Sequence, residues 1–321
     1  MFAVRGIAVW FSIFAVLYIA LSVAVLSVWR RLWLYGQQGS ARRCADLLFA
    51  LRMVPCVFAI GITLVLAVPS FLLLEPRTVN ESMGVMPVAL GLCGMAVMLA
   101  GMWKAAVALV RASRTIAQWS SAASVVGSSA ADFGDSTAVL RISAAAPPLT
   151  AAGILRPSVW LSVAAEFVLT ERELRTALRH EVVHVRRCDN LRKLILRFVA
   201  FPAMAELESA WREASEMAAD DAAVSSASEA LDLAAAVIKL SRLAPLELPA
   251  ELTTALVHSP AESVNARVER LIAWTERRQT PAKKYSSVYT LCAAVAVLAT
   301  MAVTYGQLLV RVHAATEWLV R

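Results

Sequence analysis

The sequence predicts a mainly α-helical membrane protein with four membrane-spanning helices and an α+β segment inserted between the third and the fourth. Three observations lead to this fold class. The 321 residues are 59% hydrophobic and only 17% charged, with a mean hydropathy of +0.63, whereas soluble domains carry about 25% charged residues. Four uncharged stretches reach the length of about 20 residues that crosses a bilayer. A longer polar segment, with β-favourable and amphipathic helical patterns, separates the last two stretches.

The four apolar stretches set the domain organisation. They are Gly6–Trp29, Met53–Leu74, Ser82–Trp103 and Tyr285–Val310. We therefore expect a membrane region over residues 1–103, an inserted domain over 104–284, and a fourth span with a short external tail over 285–321. The first stretch is too long for a cleaved signal peptide, and Arg30-Arg31 follows it in place of a small-residue cleavage site.

Basic residues predict the orientation of the spans, because cytoplasmic loops are enriched in Lys and Arg. The loop between the first two spans carries Arg30, Arg31, Arg42, Arg43 and Arg52. Lys and Arg also flank both ends of residues 104–284. We expect a multi-pass protein of the inner cell membrane with the inserted domain in the cytoplasm. Contact with the anionic lipid bilayer explains the net charge of +7. No motif indicates direct binding of nucleic acid.

Short strands are predicted near the start of the inserted domain. Residues 120–136 are rich in Ser and Ala and predict a flexible linker or a poorly packed helix. Ala138–Ser143 and Ser158–Val163 are strand candidates, punctuated by Pro147-Pro148 and Gly153. They suggest two or three strands of a small sheet. An edge strand of this kind could bind an extended peptide through backbone hydrogen bonds, or it could be purely structural.

Helices are predicted for most of the remaining domain. Thr170-Glu171-Arg172-Glu173 is a capping box, which starts a helix that we expect to end near Asp189-Asn190. The later segments are an apolar stretch over Leu191–Phe201, amphipathic helix over residues 203–243, a loop over Ala244–Val257 and a basic helix over Asn265–Arg278.

The capped helix carries the motif His180-Glu181-Val182-Val183-His184. The two histidines are four residues apart, so both imidazoles project from one face and can bind one Zn²⁺. Glu181 lies beside them, where it could accept a proton from water. Such a motif also occurs by chance, and on its own it leaves open whether the helix binds zinc or not.

A carboxylate from a second helix would complete the ligand set. Glu216 is one candidate, although nearby acidic residues make a solvated helix face equally compatible with the sequence. Asp220 follows one turn later. Asp189 is either a helix-end carboxylate or a hydrogen-bond partner of a ligand imidazole. Cys188 lies too far along the helix to join the two histidines, and we interpret it as incidental.

Taken together, His-Glu-Val-Val-His-Val-Arg-Arg-Cys-Asp and the later Glu216-Met-Ala-Ala-Asp220 resemble the paired motifs of the BlaR/MecR-type integral-membrane zinc metallopeptidases. Pro148–Gly153 and the four-span layout resemble this family as well. The resemblance implies a zincin-like α+β domain in which His180, His184 and Glu216 bind Zn²⁺ and Glu181 is the general base. It also implies that Asp189 and Asp220 support the site.

A further histidine resembles an element of the HtpX-like membrane proteases, which share the same core motifs. His258-Ser-Pro260 with Arg267-Val-Glu-Arg-Leu271 is similar to their His-Pro segment and following helix. The resemblance implies that His258 helps to stabilise the tetrahedral intermediate. The spacing differs, however, and a surface-loop histidine is an equal alternative.

The resemblance implies a zinc endopeptidase that cleaves a protein substrate, either a cytoplasmic transcriptional repressor or the protease itself. One alternative is an HtpX-like quality-control protease; another is a non-catalytic, zinc-containing membrane signal transducer. Sensory members of the family carry an extracellular penicillin-binding domain after the fourth span. Because the sequence given after Val310 is short, we expect no such domain here. A separate sensor protein is therefore an open alternative.

Overall fold

A computed structural model describes most of the chain. The described residues are 2–36, 39–76, 84–121, 123–125, 138–142, 147–199, 201, 203–243, 253–255, 261–274 and 304–317. They form two compact units. The first comprises Met1–Val28, Met53–Ala100 and Arg278–Arg321, and the second comprises Trp29–Arg52 and Gly101–Arg277.

Long helices dominate the first half of the chain. They are α1 (Phe2–Gly36), α2 (Ala41–Ile62), a π-helical turn (Thr63–Ala67) that leads into α3 (Val68–Leu74), and α4 (Val85–Ser121). Within the described residues, three helical stretches are long and apolar enough to cross a membrane: Phe2–Gly36, Ala41–Leu74 and Val85–Ser121. The prediction of a membrane-helical protein is confirmed. Most of the predicted fourth span, Tyr285–Val310, lies outside the described residues; its last part belongs to helix α11, residues 304–317.

Small residues let the helices of the first unit approach closely. A Cβ on Gly94 of α4 would lie 2.3 Å from the Phe11 carbonyl oxygen of α1, and one on Gly91 would lie 2.7 Å from the Ala8 carbonyl oxygen. Helices in membranes associate through such backbone approaches because lipid supplies no hydrophobic drive between them. Elsewhere in this unit the Ser70 hydroxyl donates to the Leu309 carbonyl, which joins α3 to α11.

A five-stranded mixed sheet lies in the second unit. Its strands are β1 (Ala123–Val125), β2 (Val139–Ile142), β3 (Leu149–Ala152), β4 (Ser158–Ser162) and β5 (Thr253–Ala255). Their order is β1-β2-β4-β3-β5. Only the β2–β4 pair is parallel, with Val139 opposite Val159. Strand β3 runs antiparallel to both β4 and β5, with Ala151 opposite Val159 and Thr254.

Six helices of this unit follow or flank the sheet. They are α5 (Val163–Val168), α6 (Glu171–Arg186), α7 (Asp189–Phe198), α8 (Ala205–Ala223), α9 (Ala227–Leu243) and α10 (Ala261–Ile272). The core is a continuous apolar cluster in which Leu161 of β4, Leu178 and Val182 of α6, and Leu233 and Val237 of α9 are all buried. Burial of such side chains contributes about 1.5–3 kcal/mol each.

The structure corrects several predicted boundaries. The helix expected to reach Asp189-Asn190 ends at Arg186, because Cys188 adopts a left-handed conformation with φ 54° and Asp189 begins α7. Part of the predicted loop Ala244–Val257 is strand β5. The linker expected over residues 120–136 contains the end of α4 and strand β1, and the rest of it lies outside the described residues.

Candidate metal centre

Helix α6 supplies three residues of the site. The Thr170 hydroxyl accepts from the Glu173 N–H, and the Glu173 carboxylate accepts from the Thr170 N–H, so the predicted capping box is present. These bonds satisfy N–H groups that would otherwise be free at the helix start. Two turns later the inward face of the helix buries His180, Glu181 and His184, which are exposed by 2% or less.

The two imidazoles converge on one point with the Glu216 carboxylate. The Nε2 atoms of His180 and His184 lie 3.1 Å apart. Each Nε2 lies 3.5 Å from a Glu216 oxygen, that of His180 from Oε2 and that of His184 from Oε1. Glu216 comes from α8, so two helices build the site. Tertiary structure therefore selects Glu216 from the several acidic residues that the sequence left open.

Carboxylates hold the outer nitrogens of both imidazoles. His184 Nδ1 lies 2.7 Å from Asp189 Oδ2, and His180 Nδ1 lies 3.0 Å from Asp220 Oδ1. The Ser215 hydroxyl also donates to Asp189 Oδ2 over 2.9 Å. An ionised carboxylate can only accept, so Asp189 favours the tautomer of His184 that has its proton on Nδ1 and its Nε2 lone pair turned inward. Asp220 favours the same arrangement for His180 by its position. Asp189 and Asp220 thus fix the ring orientations.

This arrangement fits a metal ion. The two Nε2 atoms lie 3.1 Å apart, an approach that either a proton on one of them or a metal ion between them explains. Tetrahedral Zn²⁺ with bonds of about 2.1 Å places its ligand atoms about 3.4 Å apart. The observed separations of 3.1 and 3.5 Å are close to that value. Two imidazoles and one carboxylate also form a known catalytic donor set for Zn²⁺, which leaves a fourth position open.

Arg267 of α10 supports the site from behind. Its guanidinium donates to both Asp220 oxygens, over 2.8 and 2.7 Å, and its Nη1 lies 3.0 Å from Glu216 Oε2. Sequence reasoning named Arg267 only within a resemblance. Nothing in its local pattern distinguishes it from the other arginines of a basic helix. Its 1% exposure reveals the role, because a buried guanidinium requires carboxylate partners.

Glu181 is held beside the ligands without being one of them. Its Oε2 accepts from the Ala151 N–H of β3 over 2.8 Å, and its Oε1 has no hydrogen-bond partner among the described residues. Burial raises the pKa of Glu181 to about 7; the nearby imidazoles lower it and Glu216 raises it. A carboxyl group with a pKa near neutrality can both accept and return a proton.

The charges of the remaining groups are set by their partners. Burial alone would raise the pKa of Glu216, but the charges of His184 and Arg267 outweigh it and lower the pKa to about 2. Burial alone would lower the pKa of His180, but hydrogen bonds to Asp220 and Glu216 raise it to about 9. The site therefore attracts a positive charge, whether a proton or a metal ion.

Strand β3 is fastened next to Glu181. The Asn190 side chain donates to the carbonyls of Ala151 and Gly153, over 3.1 and 3.2 Å. Gly153 has φ +104°, a conformation that glycine adopts without strain, and ends the strand. The Ala151 backbone is thereby fixed by Glu181 on its N–H and by Asn190 on its carbonyl.

Lys193 is a charged residue that sequence reasoning missed. It lies on α7, and burial lowers its pKa, while the charges of Glu216, Asp189 and Glu181 oppose that shift. The charges of these three carboxylates therefore act on the Lys193 amino group. Its one sequence signal is its position one helical turn beyond Asp189. That position has meaning only because α7 starts at Asp189.

The other two candidates are not part of the described centre. Cys188 is exposed and forms the turn between α6 and α7, apart from the group formed by His180, His184 and Glu216. His258 lies outside the described residues. Its predicted role in stabilising an intermediate stays a prediction.

Comparison of the chain with protein-family profiles, curated proteins and solved structures gave no match. Fold and site thus define a membrane-helical protein whose second unit carries a candidate centre of two histidines and one carboxylate.

Proposed function

We propose that this protein is a membrane-anchored zinc endopeptidase. One observation carries the proposal: His180, His184 and Glu216 bring three ligand atoms together, while Glu181 lies adjacent with one carboxylate oxygen unbonded within the described residues. A site that held zinc only for folding would need no base beside its ligands. The resemblance of the paired motifs to those of the BlaR/MecR-type metallopeptidases also supports the proposal.

The mechanism assigns a role to each buried side chain. A bound Zn²⁺ would polarise a peptide carbonyl and lower the pKa of an attacking water molecule towards about 7. His180, His184 and Glu216 hold the ion, and Asp189 and Asp220 keep the imidazoles oriented. Glu181 accepts the proton of the water and returns it to the amine that leaves.

The substrate we propose is an extended segment of a protein, recognised largely through its backbone. Strand β3 lies beside the proposed base, because the Ala151 N–H donates to Glu181, and β4 and β5 already pair with its two edges. Strand β5 of the same chain lies antiparallel along β3, with Thr254 opposite Ala151. This pairing favours self-cleavage, in which a segment of the chain itself is the substrate. A cytoplasmic regulator such as a repressor is the other substrate that we propose.

The proposal is tested with the full-length protein reconstituted in liposomes. Glu181→Gln should keep wild-type zinc content, measured by elemental analysis, and lose at least 100-fold of the cleavage rate on a quenched-fluorescence peptide library. Glu171→Gln is the matched control, because Glu171 lies exposed on the same helix. Full activity in Glu181→Gln, or wild-type cleavage that a chelator leaves unchanged, would contradict the proposal.

A further inference from the structure

A second group of potential ligands lies in the first unit, at the helix ends. Glu75 follows α3, and His313 and Glu317 lie on α11. One ligand atom from each of the three lies within 4.8 Å of the others. The orientation expected from the loop charges places this group at the external face of the membrane.

The imidazole of His313 lies between two carboxylates without bonding to either. Its Nδ1 lies 3.9 Å from Glu75 Oε2, and its Nε2 lies 3.7 Å from Glu317 Oε1. Both separations exceed hydrogen-bond length. Nδ1 is buried and has no hydrogen-bond partner among the described residues. Buried polar atoms are normally satisfied, so this one indicates a missing partner.

Arg5 of α1 organises the carboxylate of Glu75. Its Nη2 lies 3.2 Å from Oε1, which leaves Oε2 on the side of His313. Glu75 and Arg5 are mostly buried, with side-chain exposures of 9% and 14%. The group thus holds two carboxylates, those of Glu75 and Glu317, and the one guanidinium of Arg5. Carboxylates beside apolar helices favour a bound cation.

We propose that Glu75, His313 and Glu317 form a second metal site, for a divalent transition metal such as Zn²⁺. An imidazole nitrogen with two carboxylate oxygens suits such an ion better than Ca²⁺ or Mg²⁺, which prefer oxygen alone. The ligand atoms are separated by up to 4.8 Å, against about 3.4 Å around tetrahedral zinc. The side chains must close around the ion, so this site binds more weakly than the centre on α6. The ion links α3 to α11.

Equilibrium dialysis of the full-length protein in nanodiscs against Zn²⁺ tests this site. Wild type should bind two equivalents, one tight and one weaker. His313→Ala should lose the weaker equivalent, and Glu317→Gln should weaken it at least tenfold. Glu317 is half-exposed, so its substitution does not disturb packing. Glu171→Gln, which removes an exposed carboxylate of α6, is the control and should retain both equivalents.

The double variant His180→Ala/His184→Ala separates the two metal sites. It should retain one weak equivalent, which disappears when His313→Ala is added. If wild type binds a single equivalent that His313→Ala keeps, the second site is wrong and the proposed function is untouched. If the double variant retains both equivalents, the centre on α6 is wrong. This inference does not depend on peptidase activity.

Discussion

Arg267 and Asp220 form a buried two-point ion pair, with Nε to Oδ2 at 2.8 Å and Nη2 to Oδ1 at 2.7 Å. It joins α10 to α8 directly behind the imidazole of His180. Asp220 thus contacts two partners, Arg267 and His180, since its Oδ1 also lies 3.0 Å from His180 Nδ1. Burial alone would raise the pKa of Asp220, but the charge of Arg267 and the bond to His180 hold it well below its usual value.

Replacing Arg267 should therefore destabilise the domain. Arg267→Ala leaves the buried Asp220 and the partly buried Glu216 without their cation. Removing one partner of a buried pair costs about 3–5 kcal/mol. Arg270→Ala is the matched control, because Arg270 pairs with the more exposed Asp221 on the same two helices and should cost about 1 kcal/mol or less. Thermal unfolding in detergent compares them; equal melting temperatures would contradict the expectation.

Asp189 should control metal affinity without being a ligand. In Asp189→Asn a neutral amide replaces the charged carboxylate that lies 2.7 Å from His184 Nδ1, and loss of such a partner costs about 10–100-fold in affinity. Ser215→Ala removes only the hydroxyl that donates to Asp189 and should have a smaller effect. Competition with a chromophoric zinc chelator measures both variants. Unchanged affinity in Asp189→Asn would show that the ring needs no such support.

The pair formed by Glu173 and Lys239 should make stability depend on acid pH. Burial alone would raise the pKa of Glu173, but hydrogen bonds from Lys239 and Thr170 lower it below 4.5. A lowered folded-state pKa contributes stability that is present above 4.5 and is lost as pH falls through the folded value. At pH 7, Glu173→Gln should cost about 1 kcal/mol.

That difference between wild type and Glu173→Gln should shrink as the pH falls below 4.5. Urea unfolding followed by circular dichroism at several pH values measures it. Glu171→Gln, in the same helical turn but exposed, is the matched control for loss of a carboxylate. A constant difference at all pH values would assign the effect to packing.

A glycine in place of Cys188 should stabilise the turn between α6 and α7. Cys188 has φ 54°, and the left-handed conformation costs about 1 kcal/mol or more for a residue with a Cβ. Cys188→Gly should raise stability by about 1 kcal/mol, whereas Cys188→Ala, which keeps the Cβ, should be nearly neutral. Melting temperatures measure both effects. A loss of stability in Cys188→Gly would contradict the claim that the backbone at Cys188 is strained.

Replacing glycine by alanine should disturb helix packing in the first unit at Gly94 but not at Gly61. A Cβ at Gly94 would lie 2.3 Å from the Phe11 carbonyl oxygen, whereas one at Gly61 would meet nothing within 4 Å. Gly94→Ala should lower the melting temperature in detergent. Gly61→Ala should leave it unchanged or raise it, because Ala favours helix by about 1 kcal/mol. Equal effects would contradict the close packing of α1 and α4.

Sequence patterns predicted the elements whose signals are local. Apolar length predicted the three described spans, and Thr170 with Glu173 predicted the start of α6, since a capping box is complete within four residues. Alternation predicted β2 and β4. The pattern did not predict that β3 lies between β4 and β5, because strand order depends on contacts between distant segments. The early end of α6 was missed because Cys188 carries no breaker signal.

By itself, the sequence determined a membrane-helical chain and a helix that presents His180, Glu181 and His184 together, because four-residue spacing fixes one helical face. Only tertiary structure decided which carboxylate joins them. It selected Glu216, assigned Asp189 and Asp220 to the outer imidazole nitrogens, and buried Arg267 behind them. The reason is physical: these partners lie on three other helices, and their charges become tolerable only once they are buried against one another.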